Sequence, residues 1–226
     1  MTLVVAEVFG PTLQGEGPSA GRRAGFVRLG RCSLNCSWCD TPYSWDWKRY
    51  DPAVELRDLA VAEVAASIRA MDVPRVVVTG GEPLLQQRAV VELLRLLTGL
   101  EVEVETNGIH LPERELVELV DRFNVSPKLA NAGIERSRRY KPDVLRAFQA
   151  TGKAAFKFVA CEPSDLDEVD AVVAECDLTD VWVMPEGTDA PTLVARAPRL
   201  ADAVVARGWQ LTPRLHILLW GDERGR

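Results

Sequence analysis

Apolar residues along this chain fall into short solid runs separated by stretches with a helical repeat, the pattern of buried strands alternating with amphipathic helices. Residues 4–9 read as a first strand, closed by Gly10-Pro11 and the turn Gln14-Gly15-Glu16-Gly17-Pro18, and residues 24–30 as a second. Asp58 is placed to cap a helix whose positions Val61, Val64, Ala65, Ile68 and Met71 follow the 3.6 period. Residues 75–79, R-V-V-V-T, give a strand that ends in Gly80-Gly81-Glu82-Pro83. Val90, Leu93, Leu94 and Leu97 then form one helical stripe, with Gly99 as a left-handed stop. Strands are expected at 101–106, 123–126, 154–160 and 181–184. Helices fall around Leu116, from Pro142 to Phe148, from Ser164 through Cys176, and from Gly187 to Gly208 with a bend near Pro198. Residues 129–141, with Arg136, Arg138 and Arg139, read as a solvated charge run. Residues 214–220 read as a terminal strand or extended segment.

Strand-then-helix units of this size imply parallel strands joined by crossovers, so the class is α/β. The polar clusters 80–83, 105–108, 126–128 and 185–187 each follow a strand directly. That placement collects them at the carboxyl rim of a single-domain partial (βα) barrel spanning residues 1–226. The length of 226 residues suits one core, and no repeat or linker divides it. A formal charge of -6 argues against a general nucleic-acid binder. No apolar run is long enough for a membrane span and the N-terminus lacks signal-peptide features, so a cytoplasmic location is expected.

Chemistry concentrates in residues 31–41, R-C-S-L-N-C-S-W-C-D-T, where Cys32, Cys36 and Cys39 are spaced C-x3-C-x2-C. Three thiolates suit three irons of a [4Fe-4S] cube and leave the fourth iron open. Structural zinc competes, but it needs a fourth ligand, and only Cys161 or Cys176 remains to supply one. Trp45, Trp47 and Tyr50, just after the loop, either pack it or wall a ligand site.

The cysteine loop together with Gly80-Gly81-Glu82-Pro83 resembles the radical S-adenosylmethionine (SAM) superfamily, in which the open iron binds SAM and reduction releases a 5′-deoxyadenosyl radical. Leu13-Gln14-Gly15-Glu16-Gly17, Arg28, Cys39-Asp40-Thr41 and Ser126-Pro127-Lys128 narrow the resemblance to its 7-carboxy-7-deazaguanine synthase family. That resemblance implies conversion of 6-carboxy-5,6,7,8-tetrahydropterin to 7-carboxy-7-deazaguanine with loss of ammonia, on the route to queuosine and related 7-deazapurines. It also implies a [4Fe-4S] cluster, SAM and Mg2+ as cofactors, an electron donor such as flavodoxin or ferredoxin, and a homodimer.

Carried over by position, the resemblance gives Leu13, Gln14, Gly15 and Glu16 to the pterin, Arg28 to its carboxylate, and Thr79 and His216 to substrate contact. Trp38, Cys39, Asp40, Gly81, Glu82, Ser126, Pro127, Lys128 and Val183-Met184-Pro185-Glu186 would serve SAM. Thr41 would ligate Mg2+. Taken without the resemblance, Arg28 is an ion-pair residue, Thr41 a turn residue and His216 a core residue. Val183-Met184-Pro185-Glu186 departs from the glutamine-proline pair of some relatives. The tail beyond residue 220 would cap the site. The rival readings are a radical SAM activase of a glycyl-radical enzyme and a non-catalytic, zinc-stabilised scaffold.

Overall fold

The computed structural model describes residues 1–226. Strands β1 (Thr2–Leu13), β2 (Arg23–Leu29), β3 (Arg57–Ala60), β4 (Arg75–Gly80), β5 (Glu101–Thr106), β6 (Arg122–Val125), β7 (Ala154–Ala160), β8 (Val181–Pro185) and β9 (Gln210–Leu211) join one sheet. Their order is β3-β1-β2-β4-β5-β6-β7-β8-β9. β1 is antiparallel to both β2 and β3, and every pairing from β2 to β9 is parallel. The end strands do not meet, so the barrel is partial, as the strand-helix alternation led us to expect. Helices α1 (Pro52–Glu55), α2 (Val61–Ala70), α3 (Gln87–Leu96), α4 (Arg114–Leu119), α5 (Arg136–Arg139), α6 (Pro142–Ala150), α7 (Asp165–Cys176), α8 (Ala190–Ala206) and α9 (Leu215–Trp220) complete the chain. None is long and apolar enough to cross a membrane.

Alternation along the strands separates two environments. Val76 and Val78 of β4, Val102 and Val104 of β5, and Phe123 and Val125 of β6 belong to the main apolar core, together with Leu93, Leu94 and Phe148 of the helices. The alternate positions Arg75, Thr79, Glu103, Glu105, Asn124 and Lys157 carry polar side chains that bond to one another or to the first turn. The sheet therefore has an apolar face under its helices and a polar concave face for the site.

Four local expectations are corrected. Gly10-Pro11 does not end the first strand: β1 runs to Leu13 with a register shift between Phe9 and Thr12, a bulge that keeps it paired to β2. Asp58 caps no helix, because residues 57–60 pair with the edge of β1 and α2 starts only at Val61. Pairing with a neighbouring strand overrides the local capping preference. Residues 215–220 form α9 rather than a strand, a case where a short, mostly apolar run carries no decisive period. The arginine run is not wholly solvated. Arg136 and Arg138 are exposed, but Arg139 is buried and donates to Lys128 O (2.8 Å), Ile134 O (3.0 Å) and Glu168 Oε1 (2.7 Å).

Candidate active site

The loop after β2 carries the three cysteines and is held by contacts that do not use their sulfurs. Arg31 N donates to Ser44 O (2.7 Å), Ser37 N to Ala132 O (3.0 Å) and Trp38 Nε1 to Asn131 Oδ1 (3.2 Å). Leu34, Ala132 and Ile134 form a small separate core against which Cys32, Cys36 and Trp38 pack. The turn after β4 lies directly on this loop: Glu82 N donates to Arg31 O (2.8 Å) and Gly81 N to Leu29 O (3.0 Å). Gly81 has no room for a side chain, since a Cβ would stand 2.0 Å from Arg31 O.

Cys32, Cys36 and Cys39 open into one cavity of about 530 Å³, the size of a small-molecule site. Donors already address the sulfurs: Leu34 N at 3.4 Å from Cys32 Sγ and Trp45 Nε1 at 3.2 Å from Cys39 Sγ. Hydrogen bonds of this kind tune an iron–sulfur centre and suit thiolate ligands. Burial pushes the Cys32 thiol up to about 12 and raises Cys36, so a metal bound there would have to displace protons. Zinc fits less well. Cys161 and Cys176 lie outside the cavity wall, Cys176 being buried 3.4 Å from Tyr140 Oη. No three His, Cys, Asp or Glu side chains gather tightly enough to cage a single ion. The donor set fits an open-sided cluster.

Most residues singled out from the sequence share this cavity. Leu13, Gln14, Gly15, Glu16, Arg28, Thr79 and His216 line it, as do Trp38, Asp40, Thr41, Gly81, Ser126, Lys128, Met184 and Glu186. Four do not. Pro127, Val183 and Pro185 are buried behind the wall. Glu82 is also fully buried and accepts from Leu84 N (2.9 Å), Thr106 Oγ1 (2.8 Å) and Asn107 N (2.8 Å), tying the glycine turn to the end of β5. Of the aromatic trio, Trp45 and Tyr50 line the cavity and Trp47 stays exposed.

Sequence reasoning placed Glu105 at the rim within the cluster 105–108 but missed Asn124, Lys157 and Arg214, which also line the cavity. For Glu105 a signal was present in E-V-E-V-E-T, an apolar strand pattern that carries a glutamate at every second position; the other three have no local signal. Arg214 is buried and bonds Glu16 (2.9 Å), Asp40 and Gly187 O (2.7 Å), joining the first turn to the cysteine loop. Lys157 pairs with the other oxygen of Glu16.

Electrostatics follow from that chain of charges. Burial alone raises Glu16, but Lys157, Arg214 and His216 outweigh it and hold the carboxyl well below its usual range. Asp40 is likewise lowered, with Arg214 overcoming burial. His216 is lowered by burial against the pull of Glu16. Burial, then the neighbouring Glu105, raises Glu103. Because the folded-state pKa of Glu16 is depressed, its contribution to stability is present above its ordinary value of about 4.5 and is lost as pH falls through the lower folded value. Glu16→Gln should therefore cost roughly 3 kcal/mol at neutral pH, by leaving two buried cations short of a partner. In thermal unfolding the gap between wild type and variant should narrow as pH drops below that point. A gap unchanged down to strongly acidic pH would contradict it.

Comparison with known proteins places these observations. The model of the Radical SAM superfamily matches residues 27–159. A 7-carboxy-7-deazaguanine synthase of Pyrobaculum aerophilum is 41% identical over 98% of this chain and 96% of its own length. One of Halobacterium salinarum is 36% identical over 93% and 88%. The crystal structure of QueE from Escherichia coli superposes with a TM-score of 0.72 at 24% identity, covering 96% of this chain and 95% of that one, a likeness of fold.

Proposed function

We infer, from a chain that belongs to the radical SAM superfamily and within it to the 7-carboxy-7-deazaguanine synthase family, the conversion of 6-carboxy-5,6,7,8-tetrahydropterin to 7-carboxy-7-deazaguanine with loss of ammonia. The observation that carries this reading is that one cavity joins the three loop cysteines to the turn at residues 13–16 and to Arg28. Cys32, Cys36 and Cys39 would hold a [4Fe-4S] cluster, which when bound would supply one-electron reducing chemistry toward SAM.

The chain's own residues bind and orient. Arg28 donates from Nε to Glu7 (2.9 Å), while Tyr43 and Arg224 also engage that carboxylate. Glu7 thus fixes the guanidinium, leaving its terminal fork for the two oxygens of the substrate carboxylate. Gln14 is held at both ends: Nε2 donates to Glu103 (2.6 Å) and Glu105 (3.0 Å), and Oε1 accepts from Glu16 N (3.3 Å). In this reading its amide fixes the turn, whose backbone at Leu13 and Gly15 meets the pterin. Gly15 suits a close approach, since a Cβ there would stand 1.9 Å from His216 Nδ1. Thr79 donates to Glu105 (2.6 Å) and keeps that carboxylate at the cavity wall. Glu105, with Glu16, faces the guanidine-like edge of the pterin.

On the SAM side, Lys128 stands 5.6 Å over the Trp38 ring and donates to Ser126 Oγ (2.8 Å), and Asp40 is pinned by Arg214. Pro127 and the buried Val183 and Pro185 support this wall through their backbone, while Glu82 sets the glycine turn. Thr41 lines the cavity 3.8 Å from Cys39 Sγ and offers a hydroxyl to Mg2+. The tail excludes water: residues 222–226 line the cavity, and Arg224 bonds Glu55 (2.8 Å) and stacks 3.9 Å over Tyr43. The whole chain acts as one radical SAM domain in the cytoplasm, as a homodimer, with flavodoxin or ferredoxin as reductant.

The test is anaerobic turnover of the carboxypterin with dithionite, SAM and Mg2+ after reconstitution with iron and sulfide. Formation of 7-carboxy-7-deazaguanine and ammonia is expected. SAM cleavage with no change in the pterin would defeat the assignment.

A further inference from the structure

The three loop sulfurs are addressed in different ways. Cys32 Sγ accepts from a backbone amide, Leu34 N at 3.4 Å, with Asn107 Nδ2 farther off at 4.0 Å, and Cys36 lies in the field of the Lys128 ammonium. Cys39 Sγ receives a side-chain donor, the indole N–H of Trp45 at 3.2 Å. The Thr41 hydroxyl, 3.8 Å from the same sulfur, is a weaker neighbour. An indole has one polar atom and it can only donate, so the sense of the Trp45 contact is fixed. Local backbone structure holds it there. Thr41 leads into a short helical turn over Pro42–Ser44, in which Ser44 N and Ser44 Oγ both donate to Thr41 O (3.0 and 2.8 Å) and Trp45 N donates to Pro42 O (3.1 Å). Ser44 is fully buried and its carbonyl accepts from Arg31 N (2.7 Å), which ties the start of the cysteine loop to the base of the tryptophan. The chain thus folds back and sets the indole of Trp45 on the sulfur of Cys39.

A thiolate that ligates a metal keeps lone pairs free to accept, and hydrogen bonds to the sulfurs are one of the levers that set the potential of an iron–sulfur centre. One-electron reduction adds negative charge there with no proton transferred. An N–H dipole aimed at a sulfur therefore favours the reduced form over the oxidised one. We propose that Trp45, through the N–H it donates to Cys39 Sγ, is a positioning residue that raises the reduction potential of the bound cluster. The inference rests on the reading of Cys32, Cys36 and Cys39 as cluster ligands and is independent of which substrate fills the cavity. It also divides the work of the aromatic stretch after the loop: Trp45 turns its donor to a sulfur, while Trp47, 40% exposed, stays outside the cavity wall.

The test is a redox titration, followed by EPR, of anaerobically reconstituted wild type, Trp45→Phe and Trp47→Phe. Phenylalanine keeps an aromatic ring in the cavity wall and removes the donor. At a fixed potential the ratio of reduced to oxidised cluster in Trp45→Phe should fall about tenfold, a midpoint about 59 mV lower for one electron, with iron and sulfide content as in wild type. Trp47→Phe should titrate like wild type. A Trp45→Phe midpoint equal to that of wild type or above it, or an equal downward shift in Trp47→Phe, overturns the proposal. If the Trp45 variant takes up no cluster, wild type decides. With a heavy-nitrogen label in its indole rings, pulsed EPR of the reduced cluster should show an isotropic nitrogen coupling, which requires an N–H···S contact, and its absence overturns the proposal. Wild type that takes up no cluster overturns it together with the reading of the cysteines. The tenfold shift in an enzyme that leaves the pterin unchanged supports the proposal and defeats only the activity reading.

Discussion

Replacing Cys36 with alanine is expected to abolish the brown cluster absorbance and all 5′-deoxyadenosine formation, while leaving the chain folded. The loop is held by Ser37 N on Ala132 O, Trp38 on Asn131 and the small core of Leu34, Ala132 and Ile134, none of which needs the sulfur. Deleting a half-buried Sγ removes little packing, so the stability cost should stay near 1 kcal/mol. Two thiolates no longer hold a cube, and the loss of activity should be complete rather than partial. Cys161→Ala and Cys176→Ala are the controls, because neither sulfur reaches the cavity. Both should keep wild-type iron content. Anaerobic iron and sulfide analysis with product chromatography checks the set. Full iron content in the Cys36 variant, or its loss in the Cys176 variant, would mean that a different set of thiols binds the metal.

The barrel was legible because its strands are solid apolar runs, such as R-V-V-V-T, and the helices between them keep a clear stripe. The cysteine loop was legible because three cysteines at C-x3-C-x2-C stand together in the sequence itself, and the structure opens all three into one cavity. Less legible were elements whose state depends on distant partners. Asp58 has the chemistry of a cap, yet pairing with β1 decides its strand state. Arg139 looks like its exposed neighbours until Glu168 and the Lys128 carbonyl are brought beside it. Lys157 and Arg214 are remote in sequence from Glu16, and only the closing of the sheet makes them its counter-ions. Long-range ion pairs leave no local pattern, so the charge chain beneath the cavity was invisible even though its individual residues were in plain view.

Glycine 81 offers the second large effect, through sterics rather than ligation. Gly81→Ala places a Cβ 2.0 Å from Arg31 O and 3.0 Å from Cys32 N, both backbone atoms that cannot rotate away. Relief requires the cysteine loop to move off the turn after β4. That movement breaks the bond from Glu82 N to Arg31 O (2.8 Å) and disturbs Cys32, whose sulfur faces the cavity beside Asn107. The expected cost is on the order of 3 kcal/mol, with little or no cluster uptake. Gly99→Ala separates this from the ordinary penalty of replacing a glycine. It also strains the backbone, at φ +91°, but its Cβ meets nothing within 4 Å, so it should lose only about 1 kcal/mol and keep its iron. Urea unfolding of the apo chains and iron content after reconstitution would distinguish the two. A Gly81 variant that unfolds like the Gly99 variant and fills with iron would show that the loop does not need the backbone contact drawn here. The second glycine of G-G-E-P thus has a duty of its own: it lets two rim loops touch, so that the cysteine loop and the turn after β4 form one edge of the cavity.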